Sequence, residues 1–253
     1  MHVTFAPSTL VGFCLVLVRA GAFVVLCPPF NAPAIPLRVR TGFSVALAFL
    51  LGGRLGAEVT DLSTAALIGA LFTQILAGLA LAAFVFVIFQ AIQSAGELID
   101  LQVGFSMGAL LDPLSGNMSA PIGRLHQLLG ITILFAINGH VLVTRAFIET
   151  VYAAPMGHID TTALAAGLLK MVTTLFVASL EIALPVVTAL FCTEVALGLL
   201  GKAAPQLNIL VIGFGVKAML AFSLLAATLV LLPATTDSLI SQGLRAAGKI
   251  FEG

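Results

Sequence analysis

Six long apolar stretches dominate this sequence and restrict the folds available to it. They run over residues 9–27, 41–53, 64–92, 125–151, 163–200 and 209–232. Hydrophobic residues make up 60% of the chain and charged residues only 9%, where a soluble domain carries about 25% charge. Mean hydropathy is +1.17. Since a helix satisfies its backbone hydrogen bonds within one segment, such stretches predict an all-α, multi-helix membrane protein.

The lengths of the stretches do not suit a regular bundle of spanning helices. A spanning helix needs about 20 apolar residues, which fits the first, fourth and sixth. Residues 41–53 are too few to cross, while 64–92 and 163–200 are too many, the latter with Pro185 near its middle. We therefore predict long, kinked and re-entrant helices, with 41–53 not spanning and 163–200 kinked or broken at Pro185. We expect one membrane domain over residues 1–253, packed in a hetero-oligomer.

Charges at the ends and in the loops exclude some classes of protein. No Lys or Arg precedes the first apolar run and Arg19 interrupts it, so we expect an uncleaved first segment. Eleven basic and eleven acidic residues cancel, which argues against a nucleic-acid partner. Basic residues divide three against four between alternate loops, so they predict no orientation.

The sequence predicts no cofactor and no metal site. The histidines stand apart, without companion ligands at fixed spacing. The cysteines lie in apolar runs without a CxxC pair, and we interpret them as small buried apolar residues. These residues are His2, His126, His140 and His158, and Cys14, Cys27 and Cys192.

Six charged residues lie inside or at the edges of the apolar stretches: Arg19, Arg145, Lys170, Glu181, Glu194 and Lys217. A charge near the bilayer centre costs at least about 2.5–3.5 kcal/mol, so each needs a partner or water. Lys170 and Glu181 are about 16 Å apart along one helix, so their partners must come from other helices or other chains. Near a helix end, Arg145 and Lys217 could instead reach the interface, whereas Glu181 and Glu194, with shorter side chains, have less room to do so.

The segment 90–124 joins a polar helix face to a loop rich in glycine and proline. Gln90, Gln93, Glu97 and Asp100 recur at helical spacing. The helix should then end, because Gly104 and later Gly108, Pro113, Gly116 and Pro121 are poorly tolerated within it. Bulky apolar residues lie between them: Phe105, Met107, Leu110, Leu111 and Met118. An apolar loop of this kind suits neither lipid nor water, so we expect it in a pore or an assembly interface.

Two local motifs suggest other chemistry. Gly104-Phe105-Ser106-Met107-Gly108 matches the G-x-S-x-G nucleophile elbow, which would make Ser106 a nucleophile and His140 its base in an intramembrane protease. With 24 glycines in the chain, the pattern also arises by chance. Residues 208–218 imitate a dinucleotide-binding turn, but membrane helix follows and no parallel sheet is predicted. Gly52-xxx-Gly56 is a pattern that permits close helix contact.

Short motifs in a fixed order resemble the FliR/SctT family of type III secretion export-gate proteins. They are RAGAF from Arg19, CPPF from Cys27, IPLRVRTG from Ile35, AGELIDLQVGFSM from Ala95 with Asp112-Pro113 after it, NGH from Asn138, and PQLN from Pro205 followed by Gly213-Phe214 and Lys217. One departure is Gly215, which stands where the family has proline. The resemblance spans about Leu15 to Lys217.

The resemblance implies a non-enzymatic subunit in a bacterial inner membrane, at the flagellar basal body, that helps to pass unfolded proteins. It implies one spiral complex with FliP and FliQ homologues, beside homologues of FlhB and FlhA. The implied pore plug is Phe105, Met107, Leu110, Leu111 and Met118. The implied lumen or subunit contacts are Gln93, Glu97, Asp100, Gln102, Gln206, Asn208 and Lys217.

Three alternatives remain open from the sequence. An injectisome homologue would work by the same mechanism. A self-contained transporter would build its site from Lys170, Glu181 and Glu194. The protease alternative would depend on Ser106.

Overall fold

The computed structural model describes residues 7–32, 35–59, 61–105, 120–155, 161–206, 208–229 and 232–251. Within these ranges the chain is helical and has no strand, so the all-α prediction is confirmed. The helices are α1 Pro7–Leu26, α2 Pro28–Asn31, α3 Leu37–Glu58, α4 Thr64–Val103, α5 Pro121–Ala136, α6 Gly139–Ala153, α7 Thr161–Ala203, α8 Ile209–Thr228 and α9 Leu232–Phe251.

Four of the described helices are long and apolar enough to cross a membrane: α1, α4, α7 and α8. The bent pair α5 and α6 makes a fifth candidate if the two count as one span. Helix α3, which contains residues 41–53, is not among the candidates, in agreement with the prediction for that segment. Arginine and glutamate near the ends of α3 lower its hydropathy.

The structure bears on the continuity of two apolar stretches. Residues 125–151 have the length of one span, but two helices cover them, because α5 ends at Ala136 and α6 begins at Gly139. Between them Asn138 has φ of 57°, a left-handed conformation that asparagine tolerates better than most residues. Conversely, α7 is not broken, since it continues through Pro185 from Thr161 to Ala203; a kink at Pro185 stays a prediction.

The cysteine interpretation was correct at one position of three. Cys27 is buried, whereas Cys14 and Cys192 are exposed. Both exposed cysteines lie on apolar helices that are membrane-span candidates.

The chain divides into two compact units. The first comprises Met1–Ile88, Leu134–Val172 and Leu239–Gly253. In it, α1 crosses α3 so closely that a Cβ on Gly12 would collide with the backbone of Gly52 and Gly56. The Gly52-xxx-Gly56 pattern therefore serves a contact within the chain.

The second unit comprises Phe89–Ile133 and Thr173–Ser238. Its core joins the last turns of α4 to the start of α5 and to parts of α7 and α8. The core residues are Ala95, Ile99, Val103, Ile122, Ala183, Val186, Leu190, Ala221 and Leu225. This core holds the end of α4 and the beginning of α5 in fixed positions.

Helix α9 was not predicted. Its buried positions include Leu232, Thr236, Leu239, Gly243 and Ala247, which follow helical spacing. The sequence carries this period, but the apolar content of the segment is too low to mark it as a membrane span.

Candidate functional site

Helix α4 ends at a glycine in the left-handed region. Gly104 has φ of +101°, and the amides of Gly104 and Phe105 both donate to the carbonyl of Asp100, at 3.1 and 3.0 Å. Glycine is the residue best suited to this helix ending, because a Cβ would be strained there. Gly104 thus ends the helix where the sequence predicted.

The Asp100 side chain binds the start of the next helix. Its carboxylate accepts hydrogen bonds from the amides of Ile122, at 3.1 Å, and Gly123, at 2.8 Å. Amides in the first turn of a helix have no partner within it, and the helix dipole favours a negative charge there. Asp100 is fully buried. One carboxylate therefore holds both ends of the 104–120 connection together.

The helices cross at this point with almost no space between them. A Cβ on Gly96 would lie 2.7 Å from Cα of Gly123, and one on Gly123 would lie 2.8 Å from Cγ of Glu97. Beside the crossing, Nε2 of Gln93 donates to Oε1 of Glu97 at 2.8 Å. The predicted polar face thus packs partly against α5, and the crossing leaves no room for a larger residue at either glycine.

A second group of polar side chains holds the last turn of α4. Nζ of Lys217 donates to the carbonyl of Gln102 at 3.2 Å, and a cation is favoured at a helix C-terminus. Nε2 of Gln102 donates to Oε2 of Glu194 at 3.0 Å, and Oε1 of Glu194 lies 3.9 Å from Nζ of Lys217. Lys217 is 16% exposed and Glu194 57%. Lys217 and Glu194 therefore find partners within the chain.

Phe105 packs on α8. Its ring lies edge-on to Phe214, with centroids 5.7 Å apart and planes at 83°, and 6.3 Å from the ring of Phe222. The contact of Phe105 with these rings was not predicted, although Phe214 and Phe222, eight residues apart, lie on one face of α8 by helical spacing. Aromatic pairs in this arrangement are stabilising, so α8 holds the first residue after Gly104.

In the first unit, Arg19 binds backbone carbonyls at the end of α6. Its Nη2 donates to the carbonyl of Thr150 at 2.8 Å, and its Nη1 to the carbonyl of Ala154 at 3.0 Å and to Oε1 of Gln74 at 3.3 Å. Nε2 of Gln74 in turn donates to the carbonyl of Pro155 at 2.8 Å. Arg19 is fully buried. Its charge is thus met by the C-terminus of a helix in its own chain.

Comparison with known proteins decides the family. The model of the bacterial export proteins, family 1, matches residues 10–243. The chain belongs to this family.

Relatives of this export protein match most of its length. The flagellar biosynthetic protein FliR of Escherichia coli K12 is 31% identical over 228 residues, which cover 89% of the chain and 87% of that protein. FliR of Bacillus subtilis 168 is 28% identical over 219 residues, 84% of each. The surface presentation of antigens protein SpaR of Shigella sonnei is 24% identical over 151 residues, 60% of the chain and 59% of that protein. The family resemblance found in the sequence is thereby confirmed.

The remaining predicted site residues of the export protein fall into three groups. Oδ1 of Asn208 accepts a hydrogen bond from the amide of Val211 at 3.4 Å and so caps α8. Gln206, Lys170 and Glu181 are exposed. Met107, Leu110, Leu111 and Met118 lie outside the described residues, so their placement in a plug stays a prediction.

Neither alternative site is assembled by the described residues. Glu181 and Glu194 lie on α7 thirteen residues apart, about 20 Å along the axis, so they do not converge on one substrate. Ser106 lies outside the described residues, and the ring of His140 packs against Phe135 at 4.9 Å. Among the residues that the structure describes, no cluster of His, Cys, Asp or Glu could hold a metal ion.

Proposed function

We propose that this export protein is a structural and gating subunit of the flagellar protein-export channel. The channel passes unfolded flagellar proteins across the bacterial inner membrane at the flagellar basal body. Support comes from relatives named flagellar biosynthetic proteins, which match over most of their length, and from the membrane-capable helices. In this proposal the subunit catalyses no reaction. It joins homologues of FliP and FliQ in one spiral complex, beside homologues of FlhB and FlhA.

The gate in this proposal is the apolar group Phe105, Met107, Leu110, Leu111 and Met118. An export pore must pass an unfolded chain and still block ions. Flexible Met and Phe side chains can fill the constriction when the pore is empty and can pack around an exported polypeptide when it is occupied. An apolar constriction excludes water and hence ions. The single observation that carries the assignment is the pair of hydrogen bonds that the Asp100 carboxylate accepts from the amides of Ile122 and Gly123. These bonds fix both ends of the connection that bears the gate side chains.

The predicted lumen contacts support this arrangement in different ways. Asp100 binds the first turn of α5 and Lys217 the last turn of α4. Gln102 binds Glu194 of α7, and Glu97 packs at the glycine crossing. They frame the gate in this proposal. Gln206 is exposed and is left to contact a neighbouring subunit or the exported chain.

The test is a leak measurement on the chain expressed with its partner subunits. Changing Phe105 and Met107 together to Ala should raise small-ion permeability and slow growth without any export, because the seal loses bulk. Ser106→Ala, placed between them, is the matched control and should do little. If Ser106→Ala abolishes function while the double change does not leak, the chain is a protease and the gate assignment is wrong.

The injectisome alternative has one specific observation in its favour, the similarity to SpaR. That similarity covers 60% of the chain, against 89% for the Escherichia coli flagellar relative. Deleting the gene should therefore abolish flagellar filaments. Loss of secreted virulence proteins with filaments intact would favour the injectisome instead.

A further inference from the structure

His126 is a buried titratable residue that the proposed gate does not use. It lies on α5 one turn after Ile122 and is fully buried. Nδ1 of its ring is 3.0 Å from the carbonyl oxygen of Ile122. A carbonyl can only accept, so Nδ1 carries the hydrogen of the neutral ring and Nε2 keeps a lone pair. Nε2 is buried and has no hydrogen-bond partner in the part of the chain that the structure describes.

The ring belongs to the same turn of α5 that Asp100 caps. Asp100 accepts a hydrogen bond from the amide of Ile122, and His126 donates one to the carbonyl of that residue. The carboxylate and the ring are near enough for their charges to interact. Of the charged groups that the structure describes, Asp100 is the one that acts on the ring, and Glu97 is the other carboxylate that acts on Asp100. A charge on the ring therefore acts on the cap of α5.

Protonation of His126 would change the hydrogen bonding of this turn. An imidazolium carries a hydrogen on both nitrogens and accepts at neither, so Nε2 would need an acceptor that its present surroundings do not supply. A buried donor or charge without a partner is costly. An ion pair with the Asp100 carboxylate would offset this cost. The carboxylate would then give up the amides of Ile122 and Gly123.

We propose that His126 is a proton-sensitive switch that releases the Asp100 cap of α5. With the ring neutral, Asp100 binds the amides of Ile122 and Gly123 and holds both ends of the 104–120 connection together. With the ring protonated, Asp100 pairs with the imidazolium and the first turn of α5 loses its cap. Histidine suits this role because it changes charge between about pH 5 and about pH 8. Release of the gate by this switch rests on the proposed function, whereas the uncapping does not.

The test measures amide hydrogen exchange of α5 in the complete export complex, between about pH 8 and about pH 5.5. Exchange is expressed as a protection factor, because the intrinsic exchange rate itself depends on pH. We expect the protection of Ile122 and Gly123 to fall roughly tenfold at the lower pH, since both amides lose their acceptor. His126→Gln keeps a side-chain N–H but does not titrate in this interval, so its protection should stay constant. His126→Phe, which keeps a ring without nitrogen, should behave likewise.

His140→Gln is the matched control. His140 also has a buried ring nitrogen, Nδ1, without a hydrogen-bond partner among the described residues, but it lies in the first unit against Phe135. This variant should lose protection at low pH as the unchanged chain does. Protection that is constant in the unchanged chain overturns the inference. A loss that persists in His126→Gln and His126→Phe overturns it too, because Asp100 or Glu97 would then take up the proton.

The switch and the proposed function fail separately. A cap that responds to pH, and ceases to respond in His126→Gln, supports the switch even if the double change of Phe105 and Met107 does not leak; the proposed function alone then fails. A leak in the double change together with a cap that does not respond to pH contradicts the switch alone.

Discussion

Arg19 and Asp100 are buried residues of opposite charge, and each binds the end of a helix in its own unit of the chain. Each binds two backbone groups at the end of a helix: Arg19 the carbonyls at the end of α6, Asp100 the amides at the start of α5. Both choices follow the helix dipole. The chain thus binds these charges with helix ends that would otherwise lack partners.

The surroundings of the two residues differ. Arg19 has a further partner in Gln74, which itself holds the carbonyl of Pro155, so several bonds reinforce one joint. Asp100 lies four residues before Gly104, whose left-handed backbone ends α4 at the start of the 104–120 connection, which bears the proposed gate. We therefore interpret Arg19 as part of the static frame and Asp100 as the anchor of the gate.

The largest effect is expected at the static joint. Arg19→Leu leaves two carbonyls and the Gln74 amide oxygen buried without this donor, which should cost about 3–5 kcal/mol. Thermal unfolding of the purified chain in detergent measures the loss, with Arg38→Leu, an exposed arginine, as control. Equal losses for the two variants would mean that the cap of α6 is unimportant.

Asp100→Ala should cost about 1–3 kcal/mol, since two amides at the start of α5 lose their acceptor. Asp100→Asn keeps one acceptor oxygen and should lose roughly half as much. Amide hydrogen exchange at Ile122 and Gly123 reports the change directly. Unchanged protection of these amides in Asp100→Ala would show that the carboxylate does not cap α5.

A methyl group at the glycine crossing should separate α4 from α5. Gly96→Ala places a Cβ 2.7 Å from Cα of Gly123, and overpacking of this kind costs about 1–3 kcal/mol. Gly198→Ala is the matched control, because a Cβ there meets nothing within 4 Å. A Gly96→Ala variant as stable as Gly198→Ala would show that the helices are free to move apart.

The contact between Phe105 and Phe214 should give the smallest effect. A double-mutant cycle with Phe105→Ala and Phe214→Ala is expected to yield a coupling free energy of about 0.5–1.5 kcal/mol. The cycle compares the unfolding free energies, measured in detergent, of the unchanged chain, the two single variants and the double variant. If the two changes are additive, the rings do not hold each other and α8 does not position the start of the gate.

Local signals in the sequence predicted much of the second unit. Apolar length gave the helices, the spacing of Gln93, Glu97 and Asp100 gave a polar face, and Gly104 marked the end of α4. The partner of Asp100 was not predictable in this way, because periodicity relates residues within one helix and the amides of Ile122 and Gly123 belong to another. The same holds for Gln74 beneath Arg19 and for Phe214 beside Phe105.

Two other signals in the sequence concern the continuity of helices. Asn138-Gly139 is a dipeptide typical of turns, yet apolar residues on both sides concealed the break between α5 and α6. Pro185 was expected to kink or break α7. The helix continues through this proline from Thr161 to Ala203, so the break is not found and the kink stays a prediction.

Ion conductance of the assembled complex tests the central claim most directly. Asp100→Asn should assemble in normal amounts and leak small ions, because the anchor of the gate is weakened. Arg19→Lys keeps the charge but cannot reproduce the fork, so it should lower the amount of complex while the complexes that form stay closed. A leak in Arg19→Lys together with a tight Asp100→Asn complex would contradict the account, since the anchor of the gate would then lie in the first unit.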